Sequence, residues 1–226
     1  GSTYFLCVDP HKDKLMVWEM ATGKKVKETN GISDAFFSAD NKHIKQVYTN
    51  GKVTISEIAS SGEKLISTLN DSTDVNRGNY LTPQEDIMIS INRDQVLVRN
   101  LVSGNTLGVV PGNEVAFGKS GQFLYVAGDD VIEVYQLRPF RLAYRHFITH
   151  NDEYLVTDEK GRFDGTDSSR RILYFACGAE VIDLNQAKDQ LWVPGLAERI
   201  MKGDSINAKT LSDLNICGLT PETEDK

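Results

Sequence analysis

Four groups of residues in this chain are of types that can do chemistry. Cys177, in Phe175-Ala176-Cys177-Gly178-Ala179, would be a nucleophile only with a base beside it. The nearest upstream histidines, His146 and His150, stand four apart, a spacing that puts two metal ligands on one face of a helix. Their surroundings read as strand and loop, and no third His or Cys joins them, so no metal site is expected there. Asp158, Glu159, Asp164 and Asp167 could gather around Ca²⁺, yet the ligand loop that such a site needs is missing, and Asp164-Gly165 reads as a turn. Arg138-Pro139-Phe140-Arg141-Leu142-Ala143-Tyr144-Arg145 is the one basic-aromatic stretch. Within it, Arg138, Phe140, Arg141, Tyr144 and Arg145 are the candidate partner-binding residues, able to grip phosphates or an acidic partner. The plainer reading is an outer strand whose charges guard a solvated edge. No Gly-rich phosphate loop, GxSxG elbow or HExxH pair occurs. The expectation is therefore no catalytic residue, no cofactor and no enzyme.

The elements that must position these residues repeat. Lys14-Leu15-Met16-Val17-Trp18-Glu19-Met20-Ala21-Thr22-Gly23 is an alternating apolar strand closed by a turn and Gly, and Lys52 to Gly62 and Gln95 to Gly104 follow the same plan. A fourth copy, Val131 to Leu137, lacks the closing Gly. Taking Trp18, Ser56, Arg99 and Tyr135 as equivalent, the steps are 38, 43 and 36 residues. They bracket the ~40–45-residue period of a four-stranded propeller blade. Strand–turn–strand segments precede the later copies, at Ala35 to Ile44, Asn79 to Ile87 and Val115 to Leu124. A single blade cannot bury its own faces, so stacked neighbours must make the core. An unrelated β-sandwich with evenly spaced strands is the competing reading, and the regular period favours the propeller.

Leu15 to Gly23 (LMVWEMATG) resembles the "VWDxxTG" end of a WD40 repeat, and Ala35 to Ile44 (AFFSADNKHI) resembles its "FSPDGxxI" hairpin. Only the first repeat keeps Trp, with Glu19 where Asp is usual, and none shows the Gly-His pair. The resemblance implies an all-β, WD40-like β-propeller of four to five blades, either part of a longer propeller or a small one completed by the C-terminal region. It assigns residues 1–147 to the blades and 148–226 to an extension.

In that extension, Glu153 to Thr157 and Arg171 to Ala176 read as strands, Gln186 to Trp192 as a helix capped by Asp183 or Asn185, and Pro194 to Lys202 as a helix stopped by Gly203. The end, Thr220 to Lys226, is polar. Gly161, Phe163, Asp164, Gly165, Gly178, Trp192, Pro194, Gly195 and Leu196 resemble a segment of bacterial proteins that join WD-type propellers to a caspase-like peptidase domain. That resemblance implies the propeller portion of a multidomain protein. Cys177 echoes the caspase Gln-Ala-Cys-x-Gly signature only faintly, since Phe175 replaces Gln and Ala179 replaces Gly. A cysteine packed at the end of a buried strand is the better reading.

Composition narrows the partners. With 32 acidic against 25 basic residues among 226, the net charge is −7, which argues against a nucleic-acid or anionic-membrane partner. The three cysteines, Cys7, Cys177 and Cys217, form neither a disulfide framework nor a CxxC zinc pair, although one disulfide stays open. The compartment is unassigned, with the cytoplasm as default and an upstream targeting segment not excluded. These features point to a non-catalytic interaction scaffold. Its partner is a protein, missing domains of the same polypeptide, or a second copy meeting it through open blade edges. The alternative is the regulatory or targeting region of a caspase-like peptidase whose catalytic domain lies outside this chain.

Overall fold

The computed structural model describes residues 3–38, 40–68, 76–149 and 153–218. Among them the alternating segments form antiparallel strands, and the chain divides into two compact units, Gly1–Asn113 and Glu114–Lys226.

The first unit holds three sheets in sequence. β1 (Tyr4–Asp9), β2 (Lys14–Glu19) and β3 (Lys25–Asn30) make a three-stranded sheet. β4 (Ile32–Phe37), β5 (His43–Tyr48), β6 (Lys52–Glu57) and β7 (Lys64–Thr68) make a four-stranded meander. β8 (Asn76–Leu81), β9 (Ile87–Asn92), β10 (Gln95–Asn100) and β11 (Thr106–Pro111) make another. Each pairs strictly with its sequence neighbours, the blade topology of a WD40-like β-propeller. Leu15, Val17, Ile32, Ala35, Ile44 and Ile58 form one buried cluster shared by the first two sheets. Val47, Val53, Met88 and Leu101 join the second to the third, so each sheet gains its core from the next one.

Polar ties reinforce that stacking. Asp34 on β4 accepts a hydrogen bond from the backbone N–H of Asn79 on β8 at 3.1 Å, and Asn79 Oδ1 accepts from Ser90 Oγ at 2.7 Å. Burial pushes the Asp34 carboxyl above its ordinary value, against the backbone and side-chain donors of Ala35 and Asn79. Lys45, buried on β5, meets Glu85 Oε2 at 2.6 Å.

The second unit is built on a six-stranded antiparallel sheet. Its order is β12 (Glu114–Phe117), β13 (Phe123–Ala127), β14 (Val131–Leu137), β15 (Phe140–Ile148), β16 (Tyr154–Thr157) and β17 (Phe163–Gly165). A hairpin of β18 (Tyr174–Cys177) and β19 (Glu180–Asp183) follows, then the helices α1 (Lys188–Leu191) and α2 (Leu196–Lys202). None of the described helices is long and apolar enough to cross a membrane.

One turn recurs through both units. The N–H of Ser38, Thr82 and Gly118 each bonds the carbonyl of the residue that restarts the strand, His43, Ile87 and Phe123, at 3.0 Å. In a turn one residue shorter, the N–H of Asp158 bonds the carbonyl of Arg162, just ahead of β17, also at 3.0 Å. Left-handed Asn41, Glu85, Gly121 and Gly161 occupy the matching position in the four turns. A bulge also recurs, at Val17/Trp18, Val98/Arg99 and Val134/Tyr135, where three of the four residues aligned by repeat spacing lie. In the second repeat it falls at Val53/Thr54, ahead of Ser56. The fourth copy turns through a cis Arg138–Pro139 bond in place of Gly.

A further hairpin pairs onto the last of these sheets. β16 and β17 extend the sheet of β15 past residue 147, while the compact units meet at Asn113/Glu114. Several boundaries also differ from expectation. Asp164 and Gly165 lie in strand β17, not in a turn. Arg171 belongs to a 3₁₀ turn, Ser169–Arg171, and the strand starts only at Tyr174. The first helix shrinks to Lys188–Leu191, and Asp183 and Gln186 bond each other's backbone N–H at 3.1 and 2.8 Å. The residues after Asp183 close by i to i+3 bonds, Ala187 N–H to the Leu184 carbonyl and Lys188 N–H to the Asn185 carbonyl, before α-helical bonding begins. The second starts at Leu196 because Gly195 is left-handed, with φ of 68°, and left-handed Gly203 stops it. Thr220–Lys226 lies outside the described residues.

Candidate binding cleft

The second unit holds a cleft of about 490 Å³. Three elements wall it: the β13–β15 face, the Asp158–Arg162 turn, and the end of α2 with the residues that follow. α2 sits against the sheet through Leu196, which packs with Phe123, Val134, Tyr144, Val156 and Val193. Phe123, Ala143, Ile200 and Met201 give the cleft an apolar floor, and Arg141, Lys160 and Asp204 stand in its walls.

Two walls are held rigid. Arg141 donates from Nε and an Nη to Gln136 Oε1, at 3.0 and 2.8 Å, which fixes the guanidinium plane. Arg162 and Asp158 form a buried pair at 2.6 Å, and Arg162 also donates to the Ile206 carbonyl. With that pair mutually neutralised, Arg141, Glu159, Lys160, Lys202 and Asp204 are the other charged residues that line the cleft. Below the floor Tyr144 directs its hydroxyl at Met201 Sδ, 3.5 Å away. Burial, with Tyr125 beside it, pushes the Tyr144 phenol up to about 12, so it stays protonated. Chemically the cleft offers cationic, amide and carboxylate groups over an apolar base.

The basic-aromatic stretch is divided by the sheet. Leu142 pairs with Tyr135 and Tyr144 with Val134, which leaves Ala143 as an extra residue and shifts the alternation. Arg141 and Tyr144 therefore share the face toward α2. Phe140 and Arg145 share the opposite face, where Phe140 stacks on Tyr135 at 5.2 Å and Arg145 Nε donates to Glu133 Oε1 at 2.8 Å. The Tyr135 phenol, buried and donating to Glu133, is pushed above its ordinary value despite nearby Arg145. Arg138 lies at the hairpin end and donates to the Gly121 carbonyl at 3.0 Å. Nor is β15 an edge throughout, since β16 pairs with Arg145–Ile148.

Two more of the candidate residues, Cys177 and Asp164, have structural partners. Cys177 is joined to Cys217 by a disulfide, so its sulfur is neither free nor nucleophilic. His146 sits in β15 and His150 lies outside the described residues. Asp164, which spacing had suggested for a turn, accepts from Trp192 Nε1 at 3.1 Å and from the Gly195 N–H at 2.8 Å. Trp192 lies between the Arg170 guanidinium and the Lys188 ammonium, 5.7 and 5.0 Å from its ring centroid. Of the residues shared with the propeller–peptidase segment, Asp164, Trp192 and Gly195 are thus tied into one knot. No spacing rule announces it, because its members are 28 and 31 positions apart.

No family model matches this chain, and no curated protein matches it. Among solved structures, the β-propeller domain of Myceliophteria thermophila Cps50 (Swd1) is similar over 71% of this chain and 68% of that one. The identity is 12% and the TM-score 0.45. The blade assignment rests on the strand order, register and repeated turns of the chain itself.

Proposed function

We propose that this chain is a non-catalytic protein-interaction scaffold, the WD40-like propeller module of a larger protein. One observation carries the reading. The first sheet has three strands where its neighbours have four, and only one of its faces packs on the next sheet. Tyr4, Leu6, Val8, Leu15 and Val17 point to that side. The register places Phe5 opposite Trp18 and Cys7 opposite Met16 on the other side. Phe5 is 56% exposed, its ring 5.8 Å from that of Trp18. An aromatic pair on an open sheet face is the kind of surface that proteins use to meet proteins. A further blade of the same polypeptide or a second copy fits it, and Arg141 in the cleft is a second contact point.

The test is the mass of the chain in solution by light scattering, with Phe5→Asp beside the wild type. Assembly above 25.2 kDa that Phe5→Asp abolishes supports the reading. Assembly indifferent to that substitution removes the face from it, and hydrolytic turnover by the purified chain would overturn the non-catalytic role.

A second reading, a regulatory or targeting region of a caspase-like peptidase, rests on the sequence resemblance, and Asp164, Trp192 and Gly195, three of the residues that carry it, are hydrogen-bonded together. Sequencing the flanking coding region decides it, since the absence of a peptidase domain on either side removes the idea.

A further inference from the structure

Residues 209–218 form a strap over the second unit. Leu211 donates its N–H to the Lys160 carbonyl at 2.7 Å, and Lys209 Nζ donates to Gln190 Oε1 at 3.1 Å. Thr210 and Asp213 close a reciprocal capping box that shapes its first turn. Leu211, Leu214 and Ile216 press onto a buried cluster that includes Leu155, Phe163, Ile182 and Leu191. The strap thus supplies part of the lid of this core, on three apolar side chains and few hydrogen bonds.

One covalent bond locks it, the Cys177–Cys217 disulfide between β18 and the last 3₁₀ turn, Ile216–Gly218. Its two ends differ. Cys177 is half-buried against the apolar cluster, while Cys217 is exposed. A thiolate can therefore reach the Cys217 sulfur, and Cys177 is the sulfur that leaves.

We propose that Cys177–Cys217 is a redox modification site, reduced by a dithiol, whose opening releases the 209–218 strap from the core beneath it. In the first step a thiolate of the dithiol attacks Cys217 Sγ, the S–S bond breaks, and Cys177 departs as a thiolate that takes up a proton. The second thiol of the reductant then attacks the mixed disulfide and frees Cys217. Two electrons and two protons pass from the dithiol to the protein, and the reductant leaves as its own disulfide. With the bond gone, only the packing of Leu211, Leu214 and Ile216 opposes the entropy of the freed chain, and the local opening free energy falls. The reduced chain then offers the apolar floor around Phe163 and Ile182 that the oxidised chain covers. Nothing in this step depends on the partner proposed above.

The experiment is hydrogen exchange by mass spectrometry on the full chain, with and without dithiothreitol, reduction being followed by the gain of two hydrogens. The expected result is exchange in 210–218 at least about tenfold faster on reduction, with β14 and β15 accelerated clearly less. Cys217→Ser should show the fast exchange without reductant and no response to it. Complete reduction without faster exchange overturns the proposal, because packing alone then holds the strap. So does resistance of the bond to dithiothreitol under native conditions, and so does an acceleration as large in β14 and β15 as in 210–218, which would make the bond a general staple.

Discussion

Single side chains carry more of this structure than their surroundings in the sequence suggest. Asp164 is 6% exposed and satisfies two donors, the indole of Trp192 and the N–H of Gly195. Removing the acceptor breaks both bonds, and because Trp192 and Gly195 are themselves exposed water can replace part of what is lost. Asp164→Ala should lower the stability of the second unit by about 1–2 kcal/mol, read from its urea midpoint, whereas Asp164→Asn keeps one acceptor and should lose less. Asp34 gives a prediction in pH. Burial raises its folded pKa above the unfolded value, so between the two values the native state holds the proton that the unfolded chain has released. Its contribution is full below the unfolded pKa and is lost as pH rises through the folded one. The stability of the wild type relative to Asp34→Asn should therefore be higher at pH 3.5 than at pH 7 in matched denaturant titrations. Neither role was legible in advance, because both depend on partners far along the chain. The Cys177–Cys217 pair, 40 residues apart, was hidden for the same reason.

At the scale of elements, local rules reached further. The alternation of Leu15 and Val17, or of Val96 and Val98, marks strands that the fold buries on that face. The Thr22-Gly23 and Ser103-Gly104 turns fall where two strands end. What escaped the pattern has a physical cause in each case. A bulge at Val134/Tyr135 turns Arg141 away from Arg145, and bulges leave no fixed mark on composition. The β16–β17 hairpin repeats the turn geometry, but its second strand is only three residues long, too short to show alternation. Its turn also explains a glycine. At φ of 76°, Gly161 lies under the strap, and a Cβ there would stand 2.6 Å from the Leu211 Cβ. Gly161→Ala should thus be strained twice, in its backbone and against Leu211, and should destabilise the second unit by about 2 kcal/mol. Chemical denaturation followed by Trp192 fluorescence measures it. The same substitution at Gly23, with nothing within 4 Å of the added carbon, should meet only the backbone strain and cost less.

Across the whole molecule, the two compact units are held together internally by different means. The first stacks three sheets through apolar clusters and the Asp34 and Lys45 ties, and its cysteine, Cys7, is free. The second adds helices, the Asp164 knot and the Cys177–Cys217 bond to one large sheet. A cross-link spanning 40 residues removes unfolded-chain entropy corresponding to up to about 4 kcal/mol, and only for the unit that contains it. The chain has two tryptophans, one in each unit, so the units can be watched separately. In Trp18→Phe the remaining Trp192 reports the second unit, and in Trp192→Phe the remaining Trp18 reports the first. Adding dithiothreitol should move the denaturation midpoint reported by Trp192 to lower urea and leave the midpoint reported by Trp18 in place. Equal shifts in both would mean that the two units unfold as one cooperative body. A shift in neither would mean that the strap contributes packing rather than chain-entropy stabilisation, since breaking the bond would then leave the balance between folded and unfolded chains unchanged.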